Sequence, residues 1–63
     1  SLDIHYAHMP SPSHEEKLSL MMGLVEQCEQ LQYAYALYLP DSELAKGIGR
    51  EQYLQAKLLL AQA

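Results

Sequence analysis

The sequence is poor in the features that commonly stabilise very small domains. It has 63 residues and one cysteine, Cys28, so no internal disulfide is possible. A chain of this length buries only about 60% of the surface that its unfolded form exposes. Its core alone rarely supplies more than about 3–5 kcal/mol of stability. We therefore expect a partner chain, or a second copy of this chain, to supply additional stability.

Basic residues are also few: four Lys and Arg stand against eight Asp and Glu, which gives a net charge of −4. This balance disfavours nucleic acid and anionic membranes as partners, because both carry dense negative charge. No apolar run approaches the roughly 18 residues that predict a membrane helix. No signal segment opens the chain. Together with the lone cysteine, these features predict an intracellular, reducing compartment, cytoplasmic or nuclear, and a domain of a larger protein.

The first 13 residues are predicted to form an extended leader. Pro10 and Pro12 each keep the preceding residue out of helical geometry. Ile4, Tyr6 and Met9 make the leader apolar enough to dock on another surface, although not to fold alone. The sequence therefore divides into a leader over residues 1–13 and a helical interaction domain over residues 14–63.

A long helix is predicted over residues 14–39. Ser13 is a good N-cap, and Glu16 completes a capping box three residues later. Pro40 is the expected end of the helix, because proline cannot continue it. The apolar residues of this segment recur at helical spacing and include Met21, Leu24, Cys28, Leu31, Tyr35 and Tyr38.

Two shorter helical segments are predicted to follow. Asp41 can cap a single turn over residues 41–46, and Gly47 can close it. Gly49 can serve as the N-cap of a last helix over residues 50–62, which is rich in Leu and Ala. The predicted fold class is therefore all-α: an antiparallel helical hairpin, completed by a partner chain or by self-association into a helical bundle.

The predicted helices carry more apolar surface than one hairpin can bury. In the last helix Leu54 and Leu58 lie on a different side from Tyr53 and Leu60, and a single neighbouring helix covers only one side. Tyr and Met are enriched in protein interfaces, and Tyr often forms hot spots. The residues predicted to form an interface are Met22, Tyr33, Leu37, Tyr38, Leu54 and Leu58.

The sequence gives little evidence for a catalytic or metal-binding site. His5, His8 and His14 could be combined with Cys28, but structural zinc usually takes four ligands in closely spaced pairs. Cys28 lies within the apolar stripe, where a buried cysteine is normally an inert hydrophobe. The sequence also contains no phosphate-binding loop or nucleophile elbow. We therefore expect no metal, no cofactor and no enzymatic activity.

Two serines are candidates for phosphorylation. Ser11 precedes Pro12, as in proline-directed sites, and Ser13 has Glu16 three residues later, as in acidic-directed sites. A phosphate at a helix start favours the positive end of the helix dipole, but Glu15 and Glu16 would oppose it. Such short motifs are also common by chance.

The sequence predicts a non-catalytic protein–protein interaction module. The first hypothesis is an oligomerisation domain that forms a homo-oligomer and scaffolds a larger protein. The alternative is a hetero-binding adaptor, whose apolar groove receives a helix or segment from a different protein. A third hypothesis is a switch, in which the leader covers that groove until it is modified. The first hypothesis predicts stable assembly of the chain alone, and the second predicts a marginal monomer.

Overall fold

The chain adopts an α+β fold in the computed structural model, which describes residues 1–63. The elements in chain order are strand β1 (Leu2–His5), a 3₁₀ turn (Tyr6–His8), helix α1 (His14–Leu31), strands β2 (Tyr35–Tyr38) and β3 (Glu43–Gly47), and helix α2 (Arg50–Gln62). The prediction of an all-α helical bundle is therefore wrong. The chain forms a three-stranded sheet that carries two helices.

The sheet has the order β1-β2-β3. β1 and β2 are parallel, with Leu2 opposite Tyr35, and α1 forms the crossover between them. β2 and β3 are antiparallel and are joined through Pro40 and Asp41. Parallel strands need a long crossover, whereas antiparallel strands can be joined by a short turn, so both connections suit their strand pairs. Residues 2–5 of the leader are thus one edge of the sheet.

Helix α1 starts where the capping box predicts and ends well before Pro40. The Ser13 hydroxyl accepts a hydrogen bond from the Glu16 N–H at 3.3 Å. At the other end Gln32 adopts the left-handed conformation (φ 51°, ψ 53°), and the Tyr33 N–H donates to the Cys28 carbonyl at 2.8 Å. This is a helix C-cap of the left-handed type. The predicted continuation of the helix to residue 39 is wrong, and Leu31 is left 76% exposed.

The segment after α1 is a strand because its apolar residues are covered on both faces. Tyr35 and Leu37 belong to the core cluster beneath the helices, and Ala36 is buried on the opposite face. A short apolar run of this kind suits a fully buried strand as well as a buried helix. The helical turn predicted over residues 41–46 is likewise wrong, because Glu43–Gly47 forms β3.

The two helices lie antiparallel on one face of the sheet. Near one end of the pair the Tyr53 hydroxyl donates to Glu26 Oε2 at 2.8 Å. At the other end His14 Nε2 lies 3.3 Å from the Ala63 carbonyl oxygen. Between the helices and the sheet lies one apolar core: Ile4, Met21, Val25, Cys28, Tyr35, Leu37, Tyr53, Ala56 and Leu60. The core thus draws on β1, β2 and both helices, so the sheet and the helices stabilise each other.

A β-bulge in β3 is held by one side chain of α2. Tyr35 pairs with Gly47 and Leu37 pairs with Leu44, so two residues of β3 lie opposite Ala36. The Gln52 side-chain amide donates to the Tyr35 carbonyl at 2.8 Å and to the Ala45 carbonyl at 3.0 Å. A Cβ atom on Gly47 would lie 2.5 Å from Gln52 Oε1. Glycine at this position therefore makes room for the Gln52 amide.

Replacement of Gln52 by alanine is expected to lower the free energy of unfolding by about 1–3 kcal/mol, because two carbonyls lose a donor. Gly47→Ala is expected to cause much of the same loss, because the methyl group displaces the Gln52 amide. Urea unfolding of both single variants and the double variant measures the coupling. The double variant should be little less stable than Gln52→Ala. Additive losses would show that Gln52 and Gly47 act independently. Gln55→Ala, at an exposed position of α2, is the control.

Candidate interaction surface

Helix α2 has a buried side and an exposed apolar side. Tyr53, Ala56 and Leu60 recur at spacings of three and four and are buried against the sheet and α1. Leu54 and Leu58 lie one turn apart on the outer side and are 46% and 51% exposed. A helix that packs on one neighbour normally has polar residues on its outer side. The outer side of α2 therefore carries apolar surface that this domain leaves uncovered.

A depression beside α2 extends this apolar area towards α1. It has a volume of about 370 Å³ and lies between the two helices. Met22 of α1 and Lys57 and Ala61 of α2 are among the residues that line it. Ala61 is three residues from Leu58 and connects the depression to the exposed leucines. We call Met22, Leu54, Leu58 and Ala61 together the α2 surface.

The other predicted interface residues lie elsewhere. Tyr33 is 48% exposed and sits between α1 and β2, at the end of the sheet where Ile48 follows β3. Leu37 is completely buried in β2. Tyr38 lies on the face of the sheet away from the helices, where its ring stacks on His5 with centroids 4.4 Å apart. The structure thus places Leu54 and Leu58 on one side of α2, with Met22 in the adjoining depression, and separates them from Tyr33, Leu37 and Tyr38.

The Tyr53 side chain joins α2 to α1 through its hydrogen bond to Glu26, and two cations of α2 flank its ring. Lys57 Nζ lies 5.2 Å from the centroid of the Tyr53 ring, and Arg50 Cζ lies 5.8 Å from it. Both distances are in the range of cation–π contacts. The hydrogen bond to Glu26 raises the pKa of the Tyr53 hydroxyl. Because Tyr53 is held in this way, Leu54 and Leu58 are directed outward from a fixed helix.

The sheet face away from the helices is polar. Lys46 Nζ lies 2.9 Å from Asp3 Oδ1, an ion pair between the two edge strands. The hydrogen bond from Lys46 lowers the pKa of the Asp3 carboxyl group. The His5 ring stacks on Tyr38, and the His8 ring lies against His5 with centroids 4.4 Å apart and the planes tilted by 36°. An exposed ion pair of this kind contributes little to stability.

The histidines and the cysteine of the sequence do not form one cluster. His14 Nδ1 lies 2.8 Å from the Tyr6 hydroxyl, whereas His5 stacks on Tyr38 of the sheet and His8 lies against His5. Cys28 is 4% exposed, and burial raises the pKa of its thiol, which disfavours the reactive thiolate. The predicted burial of Cys28 in the apolar stripe is confirmed. No three His, Cys, Asp or Glu side chains converge on a position that could hold a metal ion.

Both candidate phosphorylation sites take part in the start of α1. The Ser11 hydroxyl donates to a Glu16 carboxylate oxygen, and the Ser13 hydroxyl caps the helix. The Ser13 N–H also donates to the Ser11 hydroxyl at 3.1 Å. A phosphate on either serine would replace one of these hydrogen bonds and would lie beside the Glu16 carboxylate. Phosphorylation of Ser11 or Ser13 stays a prediction.

Comparison with known proteins gives no family: no family model matches the chain, and neither a curated protein nor a solved structure matches it. Among the helices, neither α1 nor α2 has both the length and the apolarity needed to cross a membrane. The function is therefore inferred from the chemistry of the surface, beginning with the exposed leucines of α2.

Proposed function

We propose that this domain is a non-catalytic protein–protein interaction module that self-associates through the α2 surface. The observation that carries the proposal is the pair of exposed leucines, Leu54 and Leu58, on a helix whose other side is fixed in the core. A second copy presents the same apolar strip, so the two strips can cover each other around a two-fold axis. The spacing of Leu54, Leu58 and Ala61 also suits packing between two helices.

The size of the domain supports the proposal. Only ten of its 63 residues are buried, so the core is small for the surface that it has to stabilise. Each half-exposed leucine that becomes buried contributes about 1 kcal/mol, and a symmetric pair buries two from each copy. Association through the α2 surface would thus add a stabilising term comparable with the core of a domain this small.

The double substitution Leu54→Glu/Leu58→Glu is expected to abolish self-association and leave the fold intact. Both side chains are about half exposed, so a charge there meets water in the monomer but is buried in the dimer. Light scattering across a dilution series should give a mass of two chains for the original protein. The double variant should give one chain at every concentration.

A matched control carries the same added charge outside the α2 surface. Gln55→Glu/Gln62→Glu places two carboxylates at exposed positions of the same helix. This variant should self-associate like the original protein, and light scattering should give a mass of two chains. The proposal is overturned if the original chain is a monomer throughout, or if the leucine variant still forms dimers.

The alternative is a hetero-binding adaptor, and the depression at Met22 is the observation that favours it. Its volume suits one or two side chains from another protein's helix. Methionine adapts its shape readily to a partner, and Lys57 at the rim would suit an acidic residue. This alternative would be favoured if the original chain is a monomer that binds a cellular partner and the Met22→Asp variant no longer binds it. Retention of that partner would exclude the depression as the contact.

A further inference from the structure

The outer edge of β1 has free backbone hydrogen-bonding groups. The Leu2 N–H donates to the Ala34 carbonyl at 3.0 Å, and Ile4, two residues further along the strand, has the same orientation. Backbone groups alternate along a strand that pairs on one side. The N–H groups of Asp3 and His5 and the carbonyl of Asp3 therefore point away from β2, where the sheet has no further strand.

The two edges of the sheet differ in how well they are protected. β3 is interrupted by the bulge, and its Ala45 carbonyl is occupied by the Gln52 amide. Bulges and charged residues are common devices that prevent an edge from pairing with another strand. β1 pairs with β2 in regular register over all four residues and contains no proline. β1 is thus the edge that remains open to an additional strand.

An apolar flank of α1 lies above this edge. Leu20, Leu24 and Leu31 share one side of the helix with Lys17, whose ammonium group lies 5.0 Å from the ring of Tyr6. Tyr6 directly follows β1, and Lys17 contacts its ring, so the side of α1 that carries Lys17 faces the β1 edge of the sheet. Leu20 and Leu31 are 42% and 76% exposed. The edge therefore combines free backbone groups with apolar side chains above them.

We propose that the edge of β1 binds an extended segment of another protein as a fourth strand of the sheet. The backbone of that segment would pair with Asp3 and His5. Its alternate side chains, which are apolar, would pack against the exposed flank of α1. The side chains between them would be polar, because they lie beside Asp3 and His5 on the sheet face without helices. Strand addition of this kind takes its affinity from the backbone and its specificity from alternate side chains.

A second copy of this chain is a poorer occupant of the same edge than an extended peptide. Neighbouring strands lie about 4.8 Å apart, whereas packed helix axes need about 8–10 Å. α1 packs on β1 within the sheet, so a two-fold pairing of two β1 strands would bring two α1 helices too close. An extended peptide brings no helix with it. This edge is also remote from Leu54 and Leu58, so the inference does not depend on self-association.

The test uses an acetylated and amidated peptide, Lys-Val-Thr-Val-Thr-Val-Lys, titrated into the ¹⁵N-labelled chain. The largest amide shifts should fall in Leu2–His5, and hydrogen exchange at Asp3 and His5 should slow. Asp3→Pro removes an N–H that β2 does not use, so edge-strand geometry is retained. This variant should bind the peptide at least about tenfold more weakly, since an outward hydrogen bond is lost and the ring obstructs the edge.

The matched control is Asp3→Ala, which also removes the ion pair to Lys46 but retains the N–H. Its affinity should change less than about threefold, as expected for an exposed ion pair. Leu20→Glu/Leu31→Glu, at positions outside the core cluster, should weaken binding at least about tenfold. Equal losses in Asp3→Pro and Asp3→Ala, or shifts centred outside β1, would overturn the proposal. The proposal would also be overturned if hydrogen exchange at Asp3 and His5 slowed as the protein concentration rose without peptide, because a second copy would then occupy the edge.

Discussion

Replacement of Leu37 by glutamate is expected to unfold the domain at neutral pH. Leu37 is completely buried on the central strand, where Ile4 of β1 and Leu44 of β3 are its neighbours in register. An unpaired carboxylate at such a position costs several kcal/mol. A domain of this size has only about 3–5 kcal/mol available, so the substitution exceeds its stability. Far-UV circular dichroism and the dispersion of the amide NMR spectrum measure the loss.

Tyr33→Glu is the matched comparison, because Tyr33 precedes the same strand but is 48% exposed. Its free energy of unfolding should change by no more than about 0.5 kcal/mol, as for most surface substitutions. Leu37→Met retains an apolar side chain of similar volume and should cost less than about 1.5 kcal/mol. A Leu37→Glu variant that stays folded would show that Leu37 is not enclosed by the sheet and helices.

The second large effect expected is a loss of stability in alkali that arises from Tyr35. Its hydroxyl is buried and has no hydrogen-bond partner, and the same is true of Glu29 Oε1. Burial, and then the nearby Glu29 carboxylate, raise the pKa of Tyr35 to about 12 from its ordinary value of 10.0. The neutral phenol is thus favoured by the folded state, and the phenolate is disfavoured.

The sign of the pH dependence follows from these two pKa values. Above pH 10.0 the unfolded chain releases the Tyr35 proton while the folded chain retains it, so unfolding becomes more favourable. The stability that the neutral Tyr35 hydroxyl gives the folded state is fully present below pH 10.0 and is lost as the pH rises towards about 12. The total loss is roughly 2–3 kcal/mol, because one pKa unit corresponds to about 1.4 kcal/mol. Urea unfolding between about pH 9 and pH 12 measures it.

Tyr35→Phe is expected to remove most of this alkaline loss. It should also raise the free energy of unfolding at neutral pH by about 1 kcal/mol, since a buried hydroxyl without a partner is removed. The pKa of Tyr53 is raised as well, first by its hydrogen bond to Glu26, so a smaller dependence of the same sign remains. Tyr33→Phe at an exposed position is the control. An unchanged alkaline profile in Tyr35→Phe would contradict the assignment.

The sequence predicts those features that depend on only a few neighbouring residues. The capping residue Ser13 marks the start of α1, and Gly49 marks the start of α2, which runs over the predicted residues 50–62. The outward position of Leu54 and Leu58 also follows from helical spacing, once α2 is assigned correctly. Each of these features depends on contacts within one or two helical turns, so the local sequence is sufficient to predict it.

The sequence does not predict the strands, because their signals are short and ambiguous. In β1 the apolar residues Leu2 and Ile4 alternate with the polar residues Asp3 and His5. This pattern covers only four residues, and the prolines that follow favour an irregular segment. The apolar run of β2 suits either a helix or a strand. The choice depends on Tyr35 pairing with Leu2 and with Gly47, and neither partner is its neighbour in sequence.

The sequence by itself determined the two helix starts, the full extent of α2, the burial of Cys28 and the exposed leucines of α2. The tertiary structure decided where α1 ends and that residues 35–38 and 43–47 are strands. It also decided that Leu37 is buried. Successive residues turn by about 100° in a helix but alternate between two faces in a strand, so the same residues take different sides in the two structures. A longer helix would also satisfy its own backbone groups, so burial decides: paired with β1 and β3, Tyr35, Ala36 and Leu37 are all buried.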